Sequence, residues 1–303
     1  MRYSIFCFFK VSSLFFMVSA VFLWTAVATG CSYVEDDGDG GGAHVTFLDV
    51  GQGLSVLLES GARYALFDTG PDSAGFVDTL LAHGIDTLEW VVVSHNHRDH
   101  AGGFMEFCGT GKAAVPRVHV RRLFVGPDTS GGFIRDSVLR LAGRLGIPVD
   151  TLLREASLEL GAEGVVHRMD VLWPPAYLEV GENGASVVLR ADFGASSMLL
   201  TGDLDSAGER RLLELSPMLN AELMQVGHHG SSGSSSLGFI SKVAPRYAVI
   251  SVGKGNSYGH PANSVVRKLE YVLGDSSRIF RTDRDGSIKF EYVEGVGLIS
   301  EVQ

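Results

Sequence analysis

The sequence predicts an α/β protein in which two sheets pack face to face with helices on the outside. Three observations carry this expectation. Short apolar runs alternate with amphipathic segments from His44 onward. The second half of the chain repeats the grammar of the first. Each polar residue suited to chemistry stands just after an apolar run, which gathers all of them at one edge of the two-sheet stack.

In the first half, His44 to Leu48 and Ser55 to Leu58 read as a hairpin around Gly51-Gln52-Gly53. Tyr64 to Phe67 is a third strand, ended by Asp68-Thr69-Gly70. Phe76 to His83 has helical spacing, with Phe76, Leu80 and Leu81 on one side. Leu88 to Val93 is an apolar strand that runs into the cluster His95-Asn96-His97-Arg98-Asp99-His100. Arg121 to Val125 is a short strand. Phe133 to Leu145 is an amphipathic helix that carries Phe133, Ile134, Val138, Leu141, Ala142 and Leu145 inward.

In the second half, Ser186 to Arg190 and Ser197 to Leu200 form a hairpin across Phe193-Gly194 that leads to Asp203. Ala207 to Leu215 is a helix with Glu209, Arg210 and Arg211 outside. Ala221 to Val226 is a strand ending at His228. Phe239 to Val243 is a short helix, Tyr247 to Val252 a strand and Ser264 to Leu273 a helix. Ile279 to Thr282 and Ser287 to Tyr292 are expected to close the fold as a hairpin across Asp285-Gly286.

Composition sets the outer bounds. The chain has 303 residues, 45% of them hydrophobic, enough for one large domain or two small ones. A net charge of −10 excludes a protein coated in basic surface for nucleic acid. From Lys112 to Arg144, basic residues outnumber the two acids Asp128 and Asp136. That stretch reads either as a flank for a phosphate backbone or as the solvated face of a helix. Cys7, Cys31 and Cys108 are too few for a disulfide framework.

The N-terminal segment reads as a targeting sequence. Arg2 and Lys10 give it positive charge, and Val11 to Val27 is apolar and uncharged. Ala28-Thr29-Gly30-Cys31 resembles a lipobox, with Ala28 where Leu is usual. Ala26-Val27-Ala28 also fits ordinary signal cleavage, and the apolar run also approaches the length of an uncleaved anchor. Residues 1–30 are therefore expected to be a lipoprotein-type signal peptide. Residues 31–43 are a flexible acidic and Gly-rich tether, and 44–303 the folded domain. The expected location is outside the cytoplasm, on the periplasmic or extracellular face, anchored in the membrane through lipid on Cys31.

The chemistry concentrates in residues 95–100. His95 and His97 can share a face because alternate residues of an extended segment do. Asp99 and His100 follow in the turn. Imidazole and carboxylate without thiolate suit Zn, Mn or Fe, and the density of the cluster points to two divalent ions.

This His-x-His-x-Asp-His pattern, followed by Ala101-Gly102-Gly103, resembles the signature of the metallo-β-lactamase superfamily. Phe47-Leu48-Asp49-Val50-Gly51-Gln52-Gly53, Leu66-Phe67-Asp68-Thr69-Gly70, Leu200-Thr201-Gly202-Asp203, Gly227-His228-His229-Gly230-Ser231 and Tyr258-Gly259-His260-Pro261 narrow the resemblance. In this order they look like the hydrolase domain of ComEC-type DNA-uptake (competence) proteins. The resemblance implies an αββα sandwich and a dinuclear Zn or Mn site. It implies His95 and His97 on one ion, Asp99, His100 and His228 on the other, and Asp203 bridging both. Asp68 is implied to support the metal loops from behind.

Spacing alone does not separate His228 from His229. His228, first after the strand, is the expected ligand. His229 then orients ligands or touches phosphate, so that Asp99, His229 and His260 are the candidate catalytic residues. Ser231 and Ser232, with backbone N–H groups beside them, are candidate phosphate contacts, as is Asn256 in the His260 loop. The expected reaction is phosphodiester hydrolysis on single- or double-stranded DNA, with an uptake channel as partner. A phosphocholine-esterase-like envelope hydrolase is the alternative. The family's Gly-Gln-Gly is normally followed by Asp, and here Leu54 stands there, which puts the substrate preference in doubt. A non-catalytic accessory module would have lost ligands, and none of the six is missing. A β-lactamase is disfavoured because no His between Asp99 and Asp203 sits in a matching motif.

Overall fold

Every residue of the strand Trp90–Val93 is buried, because its sheet is covered on both faces. Trp90 and Val92 face the space between two sheets, while Val91 and Val93 face a layer of helices. A strand buried on both sides reads as an unbroken apolar run rather than as an alternation. The computed structural model describes residues 42–109, 116–127, 132–162, 165–175, 181, 183–215 and 218–301. The expectations for the signal peptide, Cys31 and nearly all of the tether, and for Lys112, fall outside these residues.

The first layer opens with β1 (Ala43–Phe47), β2 (Val56–Ser60) and β3 (Arg63–Phe67), an antiparallel meander. After α1 (Phe76–Ala82) and the short β4 (Thr87–Leu88), β5 (Trp90–Val93) lies parallel to β3. The helical turn α2 (Arg98–Ala101) and β6 (His119–Val120) follow. Then come β7 (Leu123–Val125), α3 (Phe133–Leu145) and β8 (Val149–Thr151), with β7 and β8 extending the parallel set. The second layer starts with the antiparallel β9 (Ser157–Ala162), β10 (Val165–Trp173), β11 (Val188–Phe193) and β12 (Ser196–Leu200). It continues through α4 (Ser206–Leu215), β13 (Leu223–Gln225), α5 (Leu237–Val243), β14 (Tyr247–Ile250), α6 (Asn263–Leu273) and β15 (Ile279–Arg281). Strands β12 to β15 are parallel. A helical turn, α7 (Thr282–Asp285), returns the chain to the first layer, where β16 (Ile288–Val293) pairs with β1 and β17 (Gly297–Ser300) with β16.

The strand orders are β17-β16-β1-β2-β3-β5-β7-β8 and β15-β14-β13-β12-β11-β10-β9. Between the sheets lie Phe47, Leu58, Phe67 and Val92 from one side and Met169, Leu189, Phe193 and Leu200 from the other. Each such side chain, fully removed from water, contributes about 1.5–3 kcal/mol. Outside the first sheet, α1 and α3 cover Leu66, Val91 and Leu123. Outside the second, α4, α5 and α6 cover Leu199, Met224 and Ile250. The layers are thus α, β, β, α, as expected.

Four local expectations are corrected. Val149–Trp173 supplies three strands that the apolar pattern did not announce, because β9 and β10 alternate buried residues with exposed Glu159, Val165 and Arg168. Ile279–Arg281 and Ile288–Val293 are not a hairpin. They belong to different sheets, and the Asp285-Gly286 signal marks the crossing between layers. Phe133 is 80% exposed rather than inward, since it sits at the first position of α3, beyond the reach of the sheet. Glu209 is buried rather than outside. Its carboxylate accepts Ser235 N and Ser236 N, and burial raises its pKa against those hydrogen bonds and Lys268.

Candidate metal centre

The site lies at the carboxyl ends of parallel strands, where open α/β layers leave their crevice. Asp68 follows β3, Ser94 and His95 follow β5, Asp203 follows β12, His228 and His229 follow β13, and Ser251 follows β14. Two glycines let the loops close around it. A Cβ on Gly53 would come within 2.5 Å of the Asp99 carbonyl, and one on Gly103 within 2.1 Å of the Thr69 carbonyl.

Asp68 organises the first loop. It is buried in a left-handed conformation (φ 62°). Ser94 N donates to its Oδ1 at 2.6 Å and Ser94 Oγ donates to its Oδ2 at 2.7 Å. His100 Nδ1 lies 2.7 Å from the same Oδ2. Having given its proton to Asp68, Ser94 Oγ accepts from His95 Nδ1 at 3.1 Å. Across the site, His229 Nδ1 donates to Ser251 O at 2.8 Å. In all three rings the proton is thereby placed on Nδ1 and the Nε2 lone pair faces inward, the arrangement that outer partners impose on metal-binding histidines.

Four Nε2 atoms converge on Asp203, those of these three rings and that of His228. His100 Nε2 stands 3.0 Å and His229 Nε2 3.7 Å from Oδ1. His95 Nε2 stands 3.8 Å and His228 Nε2 3.7 Å from Oδ2. Asp99 Oδ2 is 3.2 Å from His229 Nε2. The ring of His97 lies 4.5 Å from that of His95, centroid to centroid. The sequence-predicted ligands thus come together. His229, rather than His228, shares the tight group with Asp99 and His100, while His95, His100 and Asp203 form the other.

These residues fit divalent cations. His95 Nε2 is buried and makes no hydrogen bond. The Nε2 atoms of His100 and His229 are 3.2 Å apart, a separation that a proton between them or a cation beside them relieves. Burial opposes charge on Asp203, yet His100, His229 and His95 outweigh it and hold the carboxyl well below its usual range. Burial likewise opposes charge on His100, and Asp203 and Asp68 raise its pKa well above normal. The site is built around a net cation requirement.

His228 and His229 both have left-handed backbones, φ 52° and 53°. Non-glycine residues in this region cost about 1–2 kcal/mol each and cluster at functional sites. Gln225 holds the geometry. Its Oε1 accepts Thr201 N at 2.7 Å, and its Nε2 donates to Gly202 O at 3.0 Å and Val226 O at 2.9 Å, which joins the Asp203 loop to the His228 loop. Gln52 Oε1 accepts Gly253 N at 3.0 Å. Neither glutamine's role was visible in the sequence. Ser94 stood in plain view before His95 and carried no signal of its own.

A cavity of about 330 Å³ opens here, lined by Gln52, His97, Arg98, Asp99, Asp203, His228, His229, Tyr258 and His260. Ser231, Ser232 and Asn256 stand outside that lining. Asn256 is committed to its own loop. Its Oδ1 accepts Tyr258 N and His260 N, both at 3.1 Å, and its Nδ2 donates to Gly253 O at 3.0 Å and His260 O at 2.7 Å. His260 faces His228 with ring centroids 5.9 Å apart. Burial, with His228 and His229 beside it, lowers its pKa.

Residues 48–254 match the family model described as the metallo-beta-lactamase superfamily. The chain is 34% identical over 253 residues to competence protein ComA of Neisseria gonorrhoeae, covering 82% of this chain and 32% of that protein. It is 31% identical over 284 residues to ComE operon protein 3 of Bacillus subtilis (strain 168), covering 84% and 34%. It therefore spans about a third of the length of these relatives. Among solved structures it resembles CmlA, a diiron beta-hydroxylase from Streptomyces venezuelae, with a TM-score of 0.50 and 14% identity, covering 79% of this chain and 52% of that one. That likeness concerns the fold alone. The chain belongs to the metallo-beta-lactamase superfamily, as a metal-dependent hydrolase of that fold related to the competence proteins.

Proposed function

We propose that this protein is a dinuclear phosphodiesterase that acts as a nuclease. The observation that carries the proposal is the partition of imidazoles over the two oxygens of Asp203. His95 and His228 face Oδ2, and His100 and His229 face Oδ1. A carboxylate flanked in this way is suited to bridge two ions. His95, His97 and His228 would hold one ion, and Asp99, His100 and His229 the other. This moves His228 from the second ion to the first, and His229, expected to orient ligands or touch phosphate, takes its place on the second.

Two divalent ions held there supply Lewis acidity and activated water at neutral pH. The chain's own residues do the rest. Asp68 and Ser94 fix the His95 and His100 rings so that no reorientation is needed. Asp99 and Asp203 are ionised without partners from solvent. His260 stands outside both ligand groups, at the cavity wall, where it can donate to a phosphate or leaving oxygen. Gln52 keeps the opposite wall in place.

In this reading the N-terminal Cys31 is lipidated and the hydrolase works outside the cytoplasm, for DNA scavenging or beside an uptake channel carried by a partner. Cys31→Ser should then abolish lipid labelling and release the protein from the membrane fraction. The deciding experiment for the chemistry is metal analysis of the purified protein followed by assay on bis(p-nitrophenyl) phosphate. Close to two ions per chain and metal-dependent turnover are expected. A doubly loaded protein that leaves this diester intact would overturn the phosphodiesterase reading.

A further inference from the structure

We infer that Tyr258 determines substrate specificity, as the platform on which the base next to the scissile diester stacks. The inference rests on the phosphodiesterase reading above and adds a residue to it. Tyr258 lines the cavity, yet its side chain is 70% exposed. Its ring lies nearly parallel to that of His260, 21° between planes and 5.9 Å between centroids. One face is thus turned to a cavity histidine and the other is open to solvent.

The exposure is built in. Asn256 fixes the loop through four hydrogen bonds, two of them to the backbone N–H groups of Tyr258 and His260. A large aromatic ring held out of the core by such a frame has no packing role. What it offers is a flat π-face at the rim of a phosphate-sized cavity. Aromatic faces beside a backbone-binding groove hold bases of single strands without regard to sequence. Arg98 lines the same cavity with its guanidinium held by Asp72, and Lys254 is exposed on the Tyr258 loop. A choline headgroup would instead call for several aromatic faces around one cation. Among the lining residues, Tyr258 is the one aromatic other than histidine, too few to enclose a quaternary amine.

The test compares a single-stranded oligonucleotide with one of equal length whose bases are replaced by abasic tetrahydrofuran units. Substrates are offered to wild-type enzyme, Tyr258→Ala and Tyr258→Trp. Wild type should favour the base-bearing strand by about tenfold in KM, the scale of losing one stack. Tyr258→Ala should lose that preference and Tyr258→Trp should keep it. Fluorescence anisotropy of the same strands on metal-chelated protein should show the same order without turnover. Equal discrimination by Tyr258→Ala and wild type overturns the inference, as does a wild type that does not discriminate. Cleavage of bis(p-nitrophenyl) phosphate but of neither strand also overturns it while leaving the phosphodiesterase reading intact. If no diester is cut, both fall. A preference for p-nitrophenylphosphorylcholine that disappears in Tyr258→Ala would make the ring a cation-binding face and overturn stacking.

Discussion

Gln52 and Gly253 are 201 residues apart in the chain and joined by one hydrogen bond of 3.0 Å between the side-chain carbonyl of the first and the backbone N–H of the second. The approach is so close that a Cβ on Gly253 would meet Gln52 N at 2.6 Å. One residue belongs to the loop after β1 and the other to the loop after β14, so this contact pins the first layer to the second beside the cavity.

Gln52→Ala should therefore cut kcat/KM on bis(p-nitrophenyl) phosphate by tenfold or more while leaving two ions bound. Its cost in stability should be about 1 kcal/mol, the usual scale for one hydrogen bond. Metal analysis, steady-state kinetics and urea unfolding would check the three parts. A variant with lowered metal content would show that the loop supports the ions rather than the substrate.

Asp68→Asn should weaken metal binding by about 10- to 100-fold, the range for removing a partner that orients a ligand. The amide cannot accept from Ser94 N, Ser94 Oγ and His100 Nδ1 as the carboxylate does. A competitive chelator titration reads this directly, with circular dichroism as the check on folding.

Asp203→Ala should lower occupancy at both ions together, because its two oxygens serve both groups of imidazoles. His228→Ala and His229→Ala should each lower one. Retention of full metal content after loss of Asp203 would sink the bridging assignment.

Gln225→Leu keeps the volume of the side chain and removes its hydrogen bonds to Thr201 N, Gly202 O and Val226 O, all buried. The loss should be about 2–4 kcal/mol, because buried donors and acceptors are left without partners. Equilibrium denaturation would measure it, and metal affinity should fall with it.

His167 gives a pH effect away from the site. Its ring packs 5.1 Å from that of Phe193, and burial lowers its pKa below the ordinary 6.5. The unfolded chain then takes up a proton that the native one refuses. Stability from this residue is complete above pH 6.5 and declines as pH falls below it, at most by about 1.4 kcal/mol per unit. His167→Leu should flatten that part of the profile in urea unfolding of chelated protein.

The metal cluster was legible in the sequence because residues 95–100 need no tertiary information to be recognised, and because the strands that deliver them are continuous apolar runs. Helix Phe133–Leu145 was legible for the same reason, since its period is local. Strand pairing was not. Ile288–Val293 looked like the partner of Ile279–Arg281 because six residues with Asp-Gly among them separate the two, yet its register is set by β1, far earlier in the chain. His228 and His229 could not be told apart because side-chain direction after a strand depends on φ. Two consecutive left-handed residues defeat the alternation rule. Glu209 misled because a helix exposes charged residues unless a loop caps them, and the loop is Ser235-Ser236, distant in sequence.

Strand β16 lies against β1, so the neighbour of β1 in the first layer is made only after the whole of the second layer. At on the order of 5–20 residues per second, β1 waits roughly ten seconds to a minute with a bare edge. An open row of backbone donors and acceptors is a template for another chain. The half-buried His44 and Thr46 of β1 alternate with buried Ala43, Val45 and Phe47, which makes that edge adhesive. The arrangement leaves an interval of biogenesis in which that edge is unprotected. Its cost should be read in inclusion bodies, which would grow when β16 and β17 are deleted and shrink when a circular permutant places β16 before β1.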